Sequence, residues 1–498
     1  MINRQTIGFI LGPLIFVLLQ VLPVFPSASV ANMASIASLM VVLWITEALP
    51  LAATALLPLV LFPLMGITSG KEVASVYTNS TIFLFIGGFV LALSMQRWDL
   101  HTRIALRIIG WFHGSAMFMV LGFMVTAALL SMWISNTATA TMLLPIGLAV
   151  YARAAEHLDE ADSQKLITAM MLGIAYSCSI GGIATLIGTP PNLAMQRIFA
   201  ISFPEAPVIT FAQWLLFAFP LTLSMLLLCW GVITWRYTGR GFTALKFSAD
   251  ELRITANKPM SYEEKAVATV FTLTALGWIF RNDITMGGMT LPGWSNLFET
   301  ATLINDGTIA IMAALVLFTI PAKNKSAHKR LADSKTIASL PWNIVLLFGG
   351  GFALAKGFTV SGLSEFVGQQ FLGFQEMNPV GLIAGVTTLV VFLTEVTSNT
   401  ATSEMLLPLV ASIAKAIEIN PLLLMLPVTL SASMAFMMPV ATPPNAIVFA
   451  SEKLHIIDMI KTGFILNILA IVLITLVCWI LGPLIFNIDV NVMPGWAK

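Results

Sequence analysis

The chain reads as an all-helical polytopic membrane protein assembled from two inverted copies of one unit, and three observations predict this. Of 498 residues, 58% are hydrophobic and only 10% charged, with a mean hydropathy of +0.91. Apolar runs long enough to span a bilayer lie near 7–25, 33–47, 50–66, 81–96, 166–203, 210–235, 266–281, 305–321, 343–356, 421–450 and 463–486. Two further apolar regions, 113–151 and 379–414, are interrupted midway by the same polar tripeptide, Ser-Asn-Thr.

Composition excludes whole classes. Soluble domains carry about 25% charged residues, and folding buries at most roughly three quarters of a chain's surface. So much apolar side chain needs lipid as its solvent, which rules out a soluble enzyme. The net charge of +1, from 25 basic and 24 acidic residues, leaves no surplus for a polyanion, so nucleic acid is no partner. Cys178, Cys229 and Cys478 are widely spaced and predict neither a disulfide framework nor a zinc site. The histidines (His101, His113, His157, His328, His455) are equally scattered.

Taken in order, the run at 7–25 after Arg4 is a first transmembrane helix. Its 19 residues exceed a signal core of about 7–15 and match a span of about 20. Glu47, just before Pro50, falls at the interface. Orientation comes from basic loops. Residues 236–265 hold Arg236, Arg240, Lys246, Arg253, Lys258 and Lys265, and 323–335 hold Lys323, Lys325, Lys329, Arg330 and Lys335. Between them, 282–304 has no Lys or Arg. Both clusters are then cytoplasmic and 282–304 is outside. Counting spans backward places Arg97, Arg103, Arg107 and the N-terminus inside. Counting forward places 357–378 outside, Lys453 and Lys461 inside, and the C-terminus outside. Lys71 is a lone exception.

The chain contains itself twice. Ser-Asn-Thr-Ala-Thr-Ala-Thr-Met-Leu-Leu-Pro at 135–145 recurs at 398–408 with nine of eleven residues identical, at an offset of 263. The same offset maps 84–89 onto 347–352, and Thr189-Pro190-Pro191-Asn192 recurs as Thr442-Pro443-Pro444-Asn445. The topology makes the copies opposite in orientation, the signature of secondary transporters with a midplane site between their halves. The chain divides into N-terminal helices (1–80), a first repeat (81–235, with hairpin 113–151 and broken helix 166–203), basic loops and a central helix pair (236–342), and a second repeat (343–498, with hairpin 379–414 and broken helix 421–450).

The residue types suit ions. The arms flanking Ser135-Asn136-Thr137, at 114–134 and 138–151, are too short to cross about 30 Å of hydrocarbon comfortably. A re-entrant hairpin with a mid-membrane tip follows, viable only if buried in protein or facing water. Ser, Asn and Thr at the tip cap the second arm, whose free N–H groups attract anions. Ser398-Asn399-Thr400 does the same from the opposite side, so the pair fits a molecule with two carboxylates. In Thr-Pro-Pro-Asn, the prolines break the helix and free carbonyls near Leu186–Ile187 and Pro439–Val440, with Gly188 and Ala441 at the breaks. Such oxygens beside Ser and Asn side chains suit a hard cation, and the absence of clustered carboxylates favours sodium. Glu395 and Glu404 flank only the second tip, where the first copy has Met132 and Thr141.

These motifs, with Trp44-Ile45-Thr46-Glu47-Ala48-Leu49-Pro50 and Thr54-Ala55-Leu56-Leu57-Pro58, resemble the divalent anion/sodium symporter (INDY-type) family, in its sodium-coupled dicarboxylate branch. The resemblance covers essentially the whole chain, without departure at the motif positions. It implies about eleven transmembrane helices plus two hairpins, and a homodimer in which a transport domain moves against a fixed scaffold by an elevator mechanism. It implies that Ser135, Asn136 and Thr137, with Ser398, Asn399 and Thr400, contact the substrate carboxylates, and that Thr189, Pro190, Thr442 and Pro443 line the site. One sodium would be held by Ser131, Ser135, Asn136 and Gly188, and the other by Thr394, Ser398, Asn399 and Ala441. Ser131 and Thr394 are also related by the offset of 263.

The expected function is sodium-coupled symport of C4 dicarboxylates such as succinate, fumarate and malate across the inner (plasma) membrane. At least two Na⁺ would be co-transported and lipid would surround the chain. The nearest rival is a sodium-independent dicarboxylate or citrate/succinate exchanger. Citrate or sulfate as cargo is another. A membrane hydrolase is disfavoured because neither His-Glu-x-x-His nor Gly-x-Ser-x-Gly occurs, and a channel because two ion-type sites sit in hairpins.

Overall fold

The computed structural model describes residues 3–112, 115–237, 259–286, 289–323, 329–490 and 492–498. Arg240, Lys246, Arg253 and Lys258 of the first basic cluster, Lys325 of the second, and His113 and His328 lie outside the described residues. The described chain is almost wholly helical, with one two-stranded antiparallel ribbon that pairs Ile284–Met286 with Met289–Leu291. Among the described residues, eight helices are long and apolar enough to cross a membrane, and five apolar helices are shorter. Except for Asp306–Thr319, the short ones are where proline or a polar motif interrupts an apolar run.

Helix starts follow capping chemistry. Ser27 caps Ala28–Thr46 by accepting from the Val30 N–H, and Asn79 caps Ser80–Arg97. Ser261 with Glu264, and Asn305 with Thr308, form reciprocal capping boxes at Tyr262–Ile279 and Asp306–Thr319. Each satisfies N–H groups that a helix cannot pair internally. The first helix, Arg4–Val21, begins before the apolar run and ends short of it, because Pro23 disfavours helical geometry in Leu22. Its outward face, including Ile10, Leu14, Val17 and Val21, is exposed as lipid contact requires.

The run at 50–66 is two pieces, Leu51–Thr54 and Leu57–Leu64. Pro58 has no N–H to continue the helix, Leu59 bonds the Leu56 carbonyl, and the carbonyl of Ala55 is taken by the Tyr77 hydroxyl at 2.5 Å.

The centre of the molecule is Glu160–Gly182 and Leu422–Ser431. Every residue from Leu166 to Gly182 and from Leu422 to Ser431 is buried. These are the first halves of the two broken helices. Glu160–Gly182 packs on the first hairpin and on Phe211–Tyr237, and Leu422–Ser431 packs on the second hairpin and on the long helix Ile456–Phe486.

The breaks start earlier than the prolines alone predict. The first helix half stops at Gly182 and resumes as Pro190–Ser202. The second stops at Ser431 and resumes as Pro443–Phe449. The expected release near Leu186–Ile187 and Pro439–Val440 is therefore too narrow. The side chains described next hold open gaps at 183–189 and 432–442.

Candidate functional site

The first hairpin is Ala116–Ser131 and Asn136–Ala155, with its turn at 132–135. The second is Pro379–Thr394 and Asn399–Ala416, with its turn at 395–398. Ser135 accepts from the Ala138 N–H at 3.3 Å, the expected cap. Ser398 occupies the equivalent place, but its side chain makes no cap bond. The cap is thus realised at the first tip only, and the Ser398 hydroxyl is left facing the cavity.

The same contacts recur behind both tips. Ser131 Oγ reaches the Cys178 carbonyl at 2.7 Å and the Asn136 side-chain oxygen. Thr394 Oγ1 reaches the Ala432 carbonyl at 2.8 Å and Asn399 Oδ1 at 2.9 Å. In each, one hydroxyl proton faces two acceptor oxygens, so at least one oxygen remains available.

The breaks also match. Asn192 donates from Nδ2 to the carbonyls of Thr185, Ile183 and Gly182 at 2.7, 3.2 and 3.3 Å. Asn445, its repeat mate, donates to Ala435 and Met438, both at 3.1 Å. Gly182 and Ala435, and Thr185 and Met438, stand at the offset of 253 that relates Thr189 to Thr442. The asparagine of Thr-Pro-Pro-Asn thus spends its amide on carbonyls that the prolines and the broken helix leave unpaired. Gly188 makes the first break fit its hairpin: a Cβ there would lie 2.4 Å from the Gly182 carbonyl oxygen and 3.1 Å from that of Met132.

A cavity of about 740 Å³ lies between the two tips. Ser135, Asn136 and Thr137 line it with Ser398, Asn399 and Thr400. So do Thr189, Pro190, Thr442 and Pro443, and Gly188 and Ala441 at the breaks. Ser131 and Thr394 do not reach the wall; both are fully buried behind it. Thr189 Oγ1 stands 3.5 Å from Ser433 Oγ, so the two breaks approach each other across the molecule.

The remaining walls carry residues that the motifs do not flag. Phe85 and Phe89 pack in a tilted pair, 4.3 Å between ring centroids, and line the cavity. The recurring 84–89 segment was the one available signal for them. Asn343, Ile344 and Leu347 come from Trp342–Ser361. Arg4 and Glu47 also line it, with no sequence signal beyond their depth near an interface. The Arg4 guanidinium donates to the carbonyls of Ile45 and, at 3.1 Å, Val396, beside the second tip.

The two glutamates stay out of the cavity lining. Glu395 accepts from the backbone N–H groups of Phe436, Met437 and Met438 at 2.8–3.0 Å and from Asn467 Nδ2 at 2.8 Å. It braces the second break, where the first copy uses Thr185 Oγ1 donating to the Met132 carbonyl at 2.5 Å. Glu404 is fully buried against Trp342–Ser361: a Cβ on Gly351 would meet its carboxylate at 2.3 Å.

The arrangement offers helix N-termini, hydroxyls, amides and the backbone of the two breaks around one chamber, whose described lining holds no nucleophile–base pair. Among the described residues no group of three or more His, Cys, Asp or Glu side chains could hold a metal ion.

Comparisons with known proteins agree with this picture. A family model described as "Sodium:sulfate symporter transmembrane region" matches residues 6–488. The sodium-dependent dicarboxylate transporter SdcS of Staphylococcus saprophyticus is 42% identical over 496 residues, covering 98% of this chain and 93% of that protein. SdcS of Staphylococcus aureus is 41% identical over 502 residues, with the same coverage of 98% and 93%. Among solved structures, MtrF of Neisseria gonorrhoeae, described as one of a class of antimetabolite efflux pumps, superposes with a TM-score of 0.57 at 13% identity, covering 96% of this chain and 99% of that one. The YdaH transporter of Alcanivorax borkumensis gives 0.53 at 14% identity, covering 83% and 86%. At such identities these two speak for the fold alone. With a family model spanning nearly its whole length and relatives this similar, the chain belongs to the sodium:sulfate symporter family, the divalent anion/sodium symporters, and is a multi-pass membrane transporter, not an enzyme.

Proposed function

We propose that the chain is a sodium-coupled symporter of C4 dicarboxylates such as succinate, fumarate and malate. The observation that carries this reading is the single cavity lined by both Ser-Asn-Thr tips and both Thr-Pro breaks. The names of the staphylococcal relatives add sodium and dicarboxylate.

Each tip presents a helix N-terminus, which favours a carboxylate. Behind each tip, one sodium sits among hydroxyl, amide and carbonyl oxygens: Ser131, Ser135, Asn136 and Gly188 on one side, Thr394, Ser398, Asn399 and Ala441 on the other. Sodium binds first and removes the surplus of oxygen acceptors over protons noted at Ser131 and Thr394. A dianion would otherwise meet only partial charges in a site shielded from water, at high cost. Loading both cations makes the filled site close to neutral, so the hairpins and broken helices cross as one body against a dimeric scaffold that includes residues 1–80. The N-terminus is cytoplasmic and the C-terminus outside.

Uptake of labelled succinate into proteoliposomes tests this. An inward sodium gradient is expected to drive accumulation. Uptake that ignores sodium and requires vesicles preloaded with dicarboxylate would establish exchange instead.

A further inference from the structure

Two helices that line the central cavity run on into a second one. Pro190–Ser202 contributes Pro190 to the first cavity and Arg197 to the second. Trp342–Ser361 contributes Ile344 to the first and Lys356 to the second. At 1.5 Å rise per residue, Arg197 lies about 10 Å beyond Pro190 along one helix and Lys356 about 18 Å beyond Ile344 along the other. The second cavity encloses about 330 Å³ at the end of the molecule away from Arg4, Glu47 and Asn343.

Its charges are unusual for this depth. Arg197 is half-buried and its Nε is buried with no hydrogen-bond partner. Lys356 is half-buried as well, and neither cation forms an ion pair among the described residues. The neighbouring Arg281 differs: it is closed on Asp306 at 2.7 Å. The one carboxylate in the second cavity is Glu72, exposed and accepting from the Thr68 hydroxyl. The cavity therefore holds two cations against one carboxylate. A half-buried guanidinium with an idle N–H is costly unless something anionic completes it. The fork of Arg197 suits one carboxylate and the ammonium of Lys356 a second.

We propose that Arg197 and Lys356 form a second carboxylate-binding station, which captures the dicarboxylate at the face opposite Arg4 and passes it toward the hairpin tips. The choice of dicarboxylate rests on the proposed function. A divalent cargo is favoured because a monoanion would engage only one of the two cations.

The test compares R197Q, K356Q, E72Q and R197K with the wild type in proteoliposomes, measuring KM and Vmax for succinate applied from each face. For R197Q and K356Q the KM at the station's face is expected to rise about fivefold, with Vmax and the opposite-face KM within twofold. E72Q should lower that KM, R197K should fall between the wild type and R197Q because it keeps the charge but loses the fork, and the differences should shrink as choline chloride is added at fixed sodium. Improvement by E72Q is something a packing role cannot produce. KM values unmoved at that face, or changed equally at both, would overturn the station. So would a shift that vanishes in vesicles without anionic lipid, which would assign the cations to a lipid headgroup. If the wild type carries sulfate and not succinate, the substrate reading fails by itself. The same variants are then read on sulfate uptake, where an unmoved KM overturns the station independently.

Discussion

At the scale of single residues, the broken helices are held by side chains that do not line the central cavity. Asn192 is fully buried and donates to three carbonyls. Asn192→Ala strands those oxygens, and a buried unsatisfied group costs about 1–3 kcal/mol. The variant is expected to melt several degrees lower in detergent and to lose sodium-stimulated uptake. Asn136→Ala and Asn399→Ala act differently: both residues line the cavity and are more accessible. Uptake should fall more than tenfold, with membrane insertion and melting temperature near wild type. Unimpaired uptake in either would remove the tips from the site. Glu395→Gln replaces two acceptor oxygens with one, against three N–H groups and Asn467. Destabilisation of about 1–3 kcal/mol is expected in a thermal melt, without a change in the pH profile of transport if Glu395 acts only as a brace.

At the scale of elements, the two repeats solve one problem with different residues. Both must hold a helix open inside the protein, where buried backbone groups need partners from the chain itself. The asparagine of each Thr-Pro-Pro-Asn does this in the same way in both copies. The second copy adds a carboxylate, Glu395, where the first uses a hydroxyl, Thr185. At its C-terminal end, Ser80–Arg97 is tied to the short helix Ser334–Ala338 through Arg97 and Asp333, 2.8 Å apart. The Arg97 guanidinium holds the Asp333 carboxyl down to about 2. An ionised Asp333 stabilises the folded state above the unfolded carboxyl value of about 3.9. That contribution is lost as pH falls through about 2. Asp333→Asn should therefore lower the melting temperature at neutral pH, and its difference from wild type should narrow as pH drops below about 4. A constant difference down to strongly acid pH would discard the pair as a stabiliser.

For the whole molecule, orientation is the quantity most directly testable. Cys178, Cys229 and Cys478 are all buried, so introduced cysteines report against a low background. Leu297→Cys, at a position 84% exposed in the 282–304 segment, should react with an impermeant maleimide in intact cells. Lys329→Cys, also exposed, should react only after permeabilisation. The reverse pattern would invert the proposed topology and place the Arg197 station on the inner face.

An apolar, helical chain, two hairpins, two broken helices and the Ser-Asn-Thr segments that line the shared cavity were legible in the amino-acid sequence; the turns themselves fall earlier, at 132–135 and 395–398. The legible features rest on composition, on proline's missing donor and on a repeated motif, all of which are local. The extent of the breaks was not legible, because it depends on Asn192, Asn445 and Glu395 reaching carbonyls and N–H groups across space. Nor were Arg4, Phe85, Phe89 and Asn343 as cavity walls, or the pairing of Arg197 with Lys356. Such neighbours come from helices far apart in the chain, and only packing decides which side chains share a chamber. The sequence by itself determined what kind of site this protein can build. Tertiary structure decided where its oxygens meet, because the distances between separate helices are set by packing and not by spacing along the chain.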